Sequence, residues 1–260
     1  MKRLFVLTMI FVACAAAAQP PQGPLADVGF DQRLGAAVPL DAVFLDEEGR
    51  TVRLRDLVHD RPVLLALGYY GCTNVCGPVR DGIARAVAQS SLTPGVDFDV
   101  VYASIDAAEK PALARASQRE LAERHPAALV THWHFLAGAS TAAVDTLAAA
   151  IGFHYRRGPA DASFAHPVGI VILTPQGIVS RYFFGVGFDA QAVRLALVDA
   201  SGERIGSLAD RLLLLCCGFD EQSGRYNLLI GRLLKIAAAV CLVVLGAGLA
   251  LLERRRQAAP

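Results

Sequence analysis

The stretch PVLLALGYYGCTNVCGP, residues 62–78, decides the fold. Its first nine residues, Pro62–Tyr70, form an almost unbroken apolar run. Such a run is the mark of a strand buried on both faces, and hence of a sheet covered on both sides. Gly71 closes the run, and beyond it Val79, Ile83, Ala86 and Val87 recur at helical spacing within Gly77–Ser90. Cys72 and Cys76 fall at the junction of strand and helix. They are i and i+4, so on a first helical turn both sulfurs face one way. A helix N-terminus offers free N–H groups and partial positive charge, which favour thiolate over thiol. Two adjacent thiolates suit a soft metal ion or a reversible disulfide. The plainer alternative is a structural disulfide or a pair of packed thiols. Cysteines buried for packing, however, belong inside the strand and not at its exposed end.

Outward from this turn the chain alternates. Ala42–Asp46 and Thr51–Leu57, joined by Glu47-Glu48-Gly49-Arg50, read as a β-hairpin. After the Gly77–Ser90 helix come a second buried strand at Phe98–Ile105, a polar helix at Lys110–His125, a short strand at Trp133–Leu136 and a helix at Ser140–Ile151. Val168–Leu173, the turn Thr174-Pro175-Gln176-Gly177 and Ile178–Phe184 make strand, tight turn and strand, and Asp189–Val198 is a closing helix. Strands alternating with helices and ending in a hairpin predict an α/β fold, a mixed sheet with helices on both faces. No internal repeat is present. Residues 19–38, with Pro20, Pro21 and Pro24, read as a linker, 39–200 as the domain and 201–227 as a connector.

Lys+Arg 25 against Asp+Glu 24 leaves a net charge of +1, which argues against a nucleic-acid surface. The apolar fraction is 54%, above the roughly 45–50% of a soluble domain, and the excess sits at the two ends. Met1–Ala18 has the charged, apolar and small-residue regions of a signal peptide, with cleavage expected after Ala18. Lipidation of Cys14 and an uncleaved anchor are the alternatives. Ile236–Leu252 carries no charge and is followed by Glu253-Arg254-Arg255-Arg256; with Arg232 and Lys235 snorkelling, 228–252 is long enough to span a bilayer. The arginines belong on the cytoplasmic side, so 253–260 is a cytoplasmic tail and the domain lies outside the cytoplasm. In a bacterial cell this is the inner membrane with the domain facing the periplasm.

Two thiolates do not complete a metal site. Of the six histidines, His166 in Phe164-Ala165-His166-Pro167 stands out, because it lies in a loop directly before a strand where other connections can meet. His59 and His125 sit in charged stretches and read as solvated. His132 and His134 flank Trp133 on alternate faces, and His154 belongs to a surface patch with Tyr155, Arg156 and Arg157. Asp106, at the end of the second buried strand, reads as a cap. Cys216 and Cys217 read as packing beside the connector, and Cys241 as part of the span.

The order GYYGCTNVC, VVYASID, HWHFLAG and a histidine ahead of VGIVILTPQG resembles the Sco/SenC family of thioredoxin-fold copper proteins over about residues 28–200. The resemblance implies a thioredoxin-like sheet and makes Cys72, Cys76 and His166 copper ligands. It also implies a redox-active Cys72–Cys76 pair and delivery of copper to the copper A site of cytochrome c oxidase. Two thiolates and an imidazole form a three-coordinate site suited to Cu(I). The chain departs from the family in placing Gly77 between Cys76 and Pro78, and in having Ser163-Phe164-Ala165 where an acidic residue usually precedes the histidine. A C-terminal span preceded by Cys217–Tyr226 resembles a bacterial subset. The competing expectation is a thiol-disulfide oxidoreductase that keeps a partner's cysteines reduced. Against it stand CxxxC where such reductases use CxxC, and a histidine that a reductase does not need. A thiol peroxidase of the same fold needs Thr four residues before its reactive Cys; here that position is Gly68.

Overall fold

The structure, a computed structural model, describes residues 27–158, 164–202, 217–220 and 225–228. At the centre are β4 (Val63–Gly68) and β5 (Asp99–Ser104), paired in parallel from Val63↔Asp99 to Gly68↔Ser104 and buried at every residue. β6 (Trp133–Gly138) continues in parallel beyond β5. On the other side of β4 lie β10 (Gly169–Leu173) and then β11 (Val179–Phe184), both antiparallel to their neighbours. The hairpin of β2 (Val43–Leu45) and β3 (Thr51–Arg53) completes a seven-stranded sheet of order β11-β10-β4-β5-β6-β2-β3.

The alternation of side chains along each strand divides the core in two. Val63, Leu65, Leu67, Val101, Val171 and Leu173 face Phe44, Leu54 and the Thr141–Ala150 helix. Leu64, Ala66, Val100, Tyr102, Ile170 and Ile172 face the helices Cys76–Gln89, Pro111–Arg124 and Ala190–Ser201. The expected mixed, thioredoxin-like sheet with helices on both faces is therefore present.

Some elements have no counterpart in the sequence reading. β1 (Gly29–Phe30) pairs with β7 (Phe153–His154), and β8 (Arg156–Arg157) with β9 (Phe164–Ala165). Phe30 stacks edge-on against Phe153 at 5.2 Å, and Val38 is buried, so the segment from Gly29 to Val38 is part of the packed body. β12 (Cys217–Asp220) and β13 (Arg225–Leu228) form an antiparallel pair in the stretch read as a connector, ending on Leu228, the first residue of the expected span.

Among the described residues no helix is long and apolar enough to cross a membrane. The expected signal peptide at 1–18 and the span at 228–252, Leu228 excepted, lie outside the described residues, as do Cys14, Cys216 and Cys241.

The topology brings three chain segments to one edge. β4 and β5 are parallel, so their C-terminal ends lie together, the usual place for a ligand site in such sheets. β10 runs antiparallel to β4, with Val171 opposite Leu65, so the start of β10 lies beside the end of β4. The turn carrying the cysteines, the turn after Ser104 and the loop carrying His166 therefore share that edge.

Candidate metal centre

The ligand atoms of Cys72, Cys76 and His166 all lie within 4.8 Å of one another, and this is the one such His/Cys/Asp/Glu group among the described residues. Three donors around one ion at bond lengths of roughly 2.0–2.3 Å stand about 4 Å apart. The observed spacing fits a metal with small adjustments.

Cys76, one residue earlier than the sequence reading placed the start, begins the helix, and Val75 is its N-cap. Cys72 lies just ahead of the bend at 73–75 and not in a first helical turn. The two sulfurs converge because the bend curls back over the helix start, and their environments differ. Burial works against the Cys72 thiolate. Hydrogen bonds from Cys76 and from the backbone N–H groups of Cys76, Asn74 and Val75 outweigh it and hold this thiol below its ordinary pKa. Cys76 is 1% exposed, and burial pushes its thiol up to about 12 despite the backbone N–H of Tyr69. The expectation of two activated thiolates is thus corrected at Cys76: the helix N-terminus is outweighed by desolvation.

His166 Nε2 lies 3.4 Å from Cys76 Sγ, and Nδ1 lies 2.9 Å from the Pro167 carbonyl oxygen. A carbonyl only accepts, so Nδ1 carries the proton and Nε2 turns its lone pair toward the sulfurs. Burial keeps the imidazole below its ordinary pKa, against the opposing pull of the Pro167 carbonyl. The ring stacks on Phe153 at 6.0 Å and meets the edge of Tyr69 at 5.8 Å. Phe164 N donates to Tyr69 Oη at 3.4 Å, and the Arg157 guanidinium sits 4.9 Å over the Phe164 ring while bonding Asp106 Oδ1 at 3.1 Å. Asp106, read as a cap, caps no helix, since Lys110 is the N-cap of Pro111–Arg124; it accepts from Ala108 N at 3.0 Å within the turn and through Arg157 steadies the histidine loop.

Sequence reasoning missed the groups behind the cysteines. Glu109 is 8% exposed; its carboxylate accepts from Tyr70 N at 2.8 Å, Gly71 N at 2.6 Å and Ser104 Oγ at 2.6 Å. This clamp ties the turn before Cys72 to the end of β5. Gly68 is required for a close approach: a Cβ there would stand 2.1 Å from Tyr102 Oη and 3.3 Å from Cys76 Sγ. Gly77, the departure noted above, lies in the helix that begins at Cys76, and a Cβ there would meet nothing within 4 Å.

The other histidines lie elsewhere. His59 pairs with Asp60 and His154 with Asp31, both at the surface. His125, read as solvated, is instead mostly covered, with Nε2 2.9 Å from Asp81 Oδ1. His134 is also covered, and burial keeps its pKa low.

The fold and the three-donor edge define a thioredoxin-like protein with a Cys₂His centre. No family model and no curated protein matches the chain. Solved structures do share its fold, and Sco/SenC copper-binding proteins are prominent among them. A protein of Aquifex aeolicus VF5 provisionally assigned to electron transfer is 25% identical, with TM-score 0.59 over 65% of this chain and 95% of that one. A SCO1/SenC family lipoprotein of Bacillus anthracis str. Ames is 16% identical, with TM-score 0.54 over 66% and 98%. Copper-bound ScoI of Arabidopsis thaliana is 16% identical, with TM-score 0.52 over 66% and 99%. At these identities the last two likenesses are of fold.

Proposed function

We propose that this chain is a Sco/SenC-type copper chaperone: a membrane-tethered, extracytoplasmic domain that takes copper on Cys72, Cys76 and His166. In this reading it delivers the ion to the copper-binding subunit of cytochrome c oxidase, at the copper A site. The observation that carries the reading is the convergence of two sulfurs and an unprotonated imidazole nitrogen at one sheet edge. Thiolate and imidazole donors select Cu(I) over hard cations. Copper-bound Arabidopsis thaliana ScoI, which has the same fold, supports the choice of ion. The signal-peptide pattern and the apolar segment before the terminal arginines support the tether and the periplasmic side. The chain's own residues bind and orient. Cys72 ionises more readily than an ordinary thiol, Cys76 gives up its proton as it ligates, and Pro167 fixes the imidazole tautomer.

A second reading draws on the split between the two thiols. A low-pKa, partly exposed Cys72 beside a buried, high-pKa Cys76 is the arrangement of an attacking and a resolving cysteine in thiol-disulfide exchange. Anaerobic Cu(I) titration of the reduced protein against a competing chelator separates the two. A chaperone binds one Cu(I) tightly and loses affinity in His166→Ala. A reductase turns over a disulfide substrate and tolerates that change.

A further inference from the structure

Arg80 lies one helical turn beyond Cys76 and is 3% exposed. A buried guanidinium is costly unless an anion compensates it. Arg80 has no carboxylate within ion-pair distance among the described residues, and its Nε has no hydrogen-bond partner. Its contacts are with Tyr102: Nη1 lies 3.5 Å from Oη, and Cζ lies 5.2 Å from the ring centroid. Tyr102 is itself 1% exposed, and its hydroxyl fills the space left by the missing Cβ of Gly68, which Cys76 Sγ also borders. Cation, phenol and sulfur thus form a buried line ending at the metal-binding edge. Glu109, the other buried charge at the turn, is already occupied by three donors.

We infer that Arg80, acting through Tyr102, is the counter-charge of the Cys72–Cys76–His166 centre and biases it toward the reduced metal ion. The inference rests on the copper reading above. Two thiolates, a neutral imidazole and Cu(I) sum to a charge of −1; with Cu(II) the sum is zero. A fixed cation in a water-poor interior favours the first state over the second. Arg80 is a positioning and tuning residue, since it touches no ligand atom directly.

The test compares Cu(I) and Cu(II) affinities of the detergent-solubilised full chain, using a chelator specific for each state. In Arg80→Met the ratio of Cu(I) to Cu(II) affinity falls by roughly tenfold at an effective dielectric near 20. One such decade lowers the one-electron potential by about 59 mV. Arg80→Lys restores most of the ratio, because it returns the charge, and Tyr102→Phe gives an intermediate loss. The melting temperature of the metal-free Met variant stays at or above wild type, which separates tuning from folding. A wild-type chain that binds copper, with an unchanged ratio in Arg80→Met, overturns the inference alone. A wild-type chain that binds no copper overturns the copper reading and the inference with it. Should Arg80→Met not fold, an unchanged ratio in Tyr102→Phe overturns the inference equally.

Discussion

The two halves of the metal centre are built differently. The cysteine turn is held by extensive structure: a six-residue buried strand before it, a fourteen-residue helix after it and the Glu109 carboxylate behind it. The histidine turn depends on little regular structure. It has a two-residue strand pair, one backbone carbonyl and a layer of aromatic rings. One half is set by backbone hydrogen bonds to a buried charge, the other by side-chain packing. The lesson is that a metal site can join a framework that the fold cannot lose to a ligand that it can.

Substitutions in each half should show how differently the two are held. The largest effect is expected from Cys72→Ser or Cys76→Ser, which remove tight Cu(I) binding because a hydroxyl is a hard, poor donor to that ion. Chelator competition checks this. Next is Glu109→Ala, which leaves two backbone N–H groups of the cysteine turn without their acceptor and takes from Ser104 Oγ, at the end of β5, the nearer of its two acceptors. Thermal or urea unfolding of the metal-free protein should show a loss of about 2–4 kcal/mol. Glu109→Gln, which keeps an acceptor, should recover part of that loss. His166→Ala is predicted to weaken Cu(I) binding by about tenfold to a hundredfold with little change in unfolding. If it destabilises the fold as much as Glu109→Ala, the two halves are not built differently and the contrast fails.

A pH effect separates the halves further. The folded pKa of Cys76 is raised to about 12 from an ordinary 9.0. Between these values the folded state holds a proton that the unfolded state has lost. The stability this contributes is full below pH 9.0 and drains away as pH rises toward 12. Urea midpoints of the metal-free protein should fall across that window, and Cys76→Ser should flatten the slope. His166 runs the other way. Its folded pKa is lowered from 6.5, so its contribution is present above that value and is lost on acidification. The smallest effect is expected at Gly77, which sits in the first helical turn with open space around it. Gly77→Ala should raise stability by about 0.5–1 kcal/mol without moving copper affinity.

Legibility in the sequence followed the same division. β4 and β5 could be read because six buried residues in a row leave a long apolar signature, and the cysteines because they interrupt it. β1, β7, β8 and β9 could not, since two residues carry no period. His166 stands out by its place before β10, but its ring partners Phe153 and Tyr69 come from other elements that only the fold brings to it. Glu109 looked like any charge in a polar stretch, because only the folded chain brings Tyr70 and Gly71 to it. Arg80 did leave a trace. Positions 76, 79, 80, 83 and 87 share one helix face, so a charge at 80 falls on the apolar side. The Cys72 and Cys76 environments were unreadable, because relative burial of two sulfurs four residues apart depends on how the bend between them folds.

The absent side chain at Gly68 has a consequence for how this sequence can change. Its vacancy is occupied by the hydroxyl of a residue on the neighbouring strand, so positions 68 and 102 are matched. Gly68→Ala alone drives a methyl group into Tyr102, and Tyr102→Phe alone leaves a small gap beside Cys76. Made together, the two changes should cost less than their sum, and a double-mutant cycle would register this as a favourable coupling energy of about 0.5–3 kcal/mol. The order of substitution then matters. A lineage can give up the tyrosine hydroxyl first and fill position 68 afterwards, while the reverse route passes through a clash.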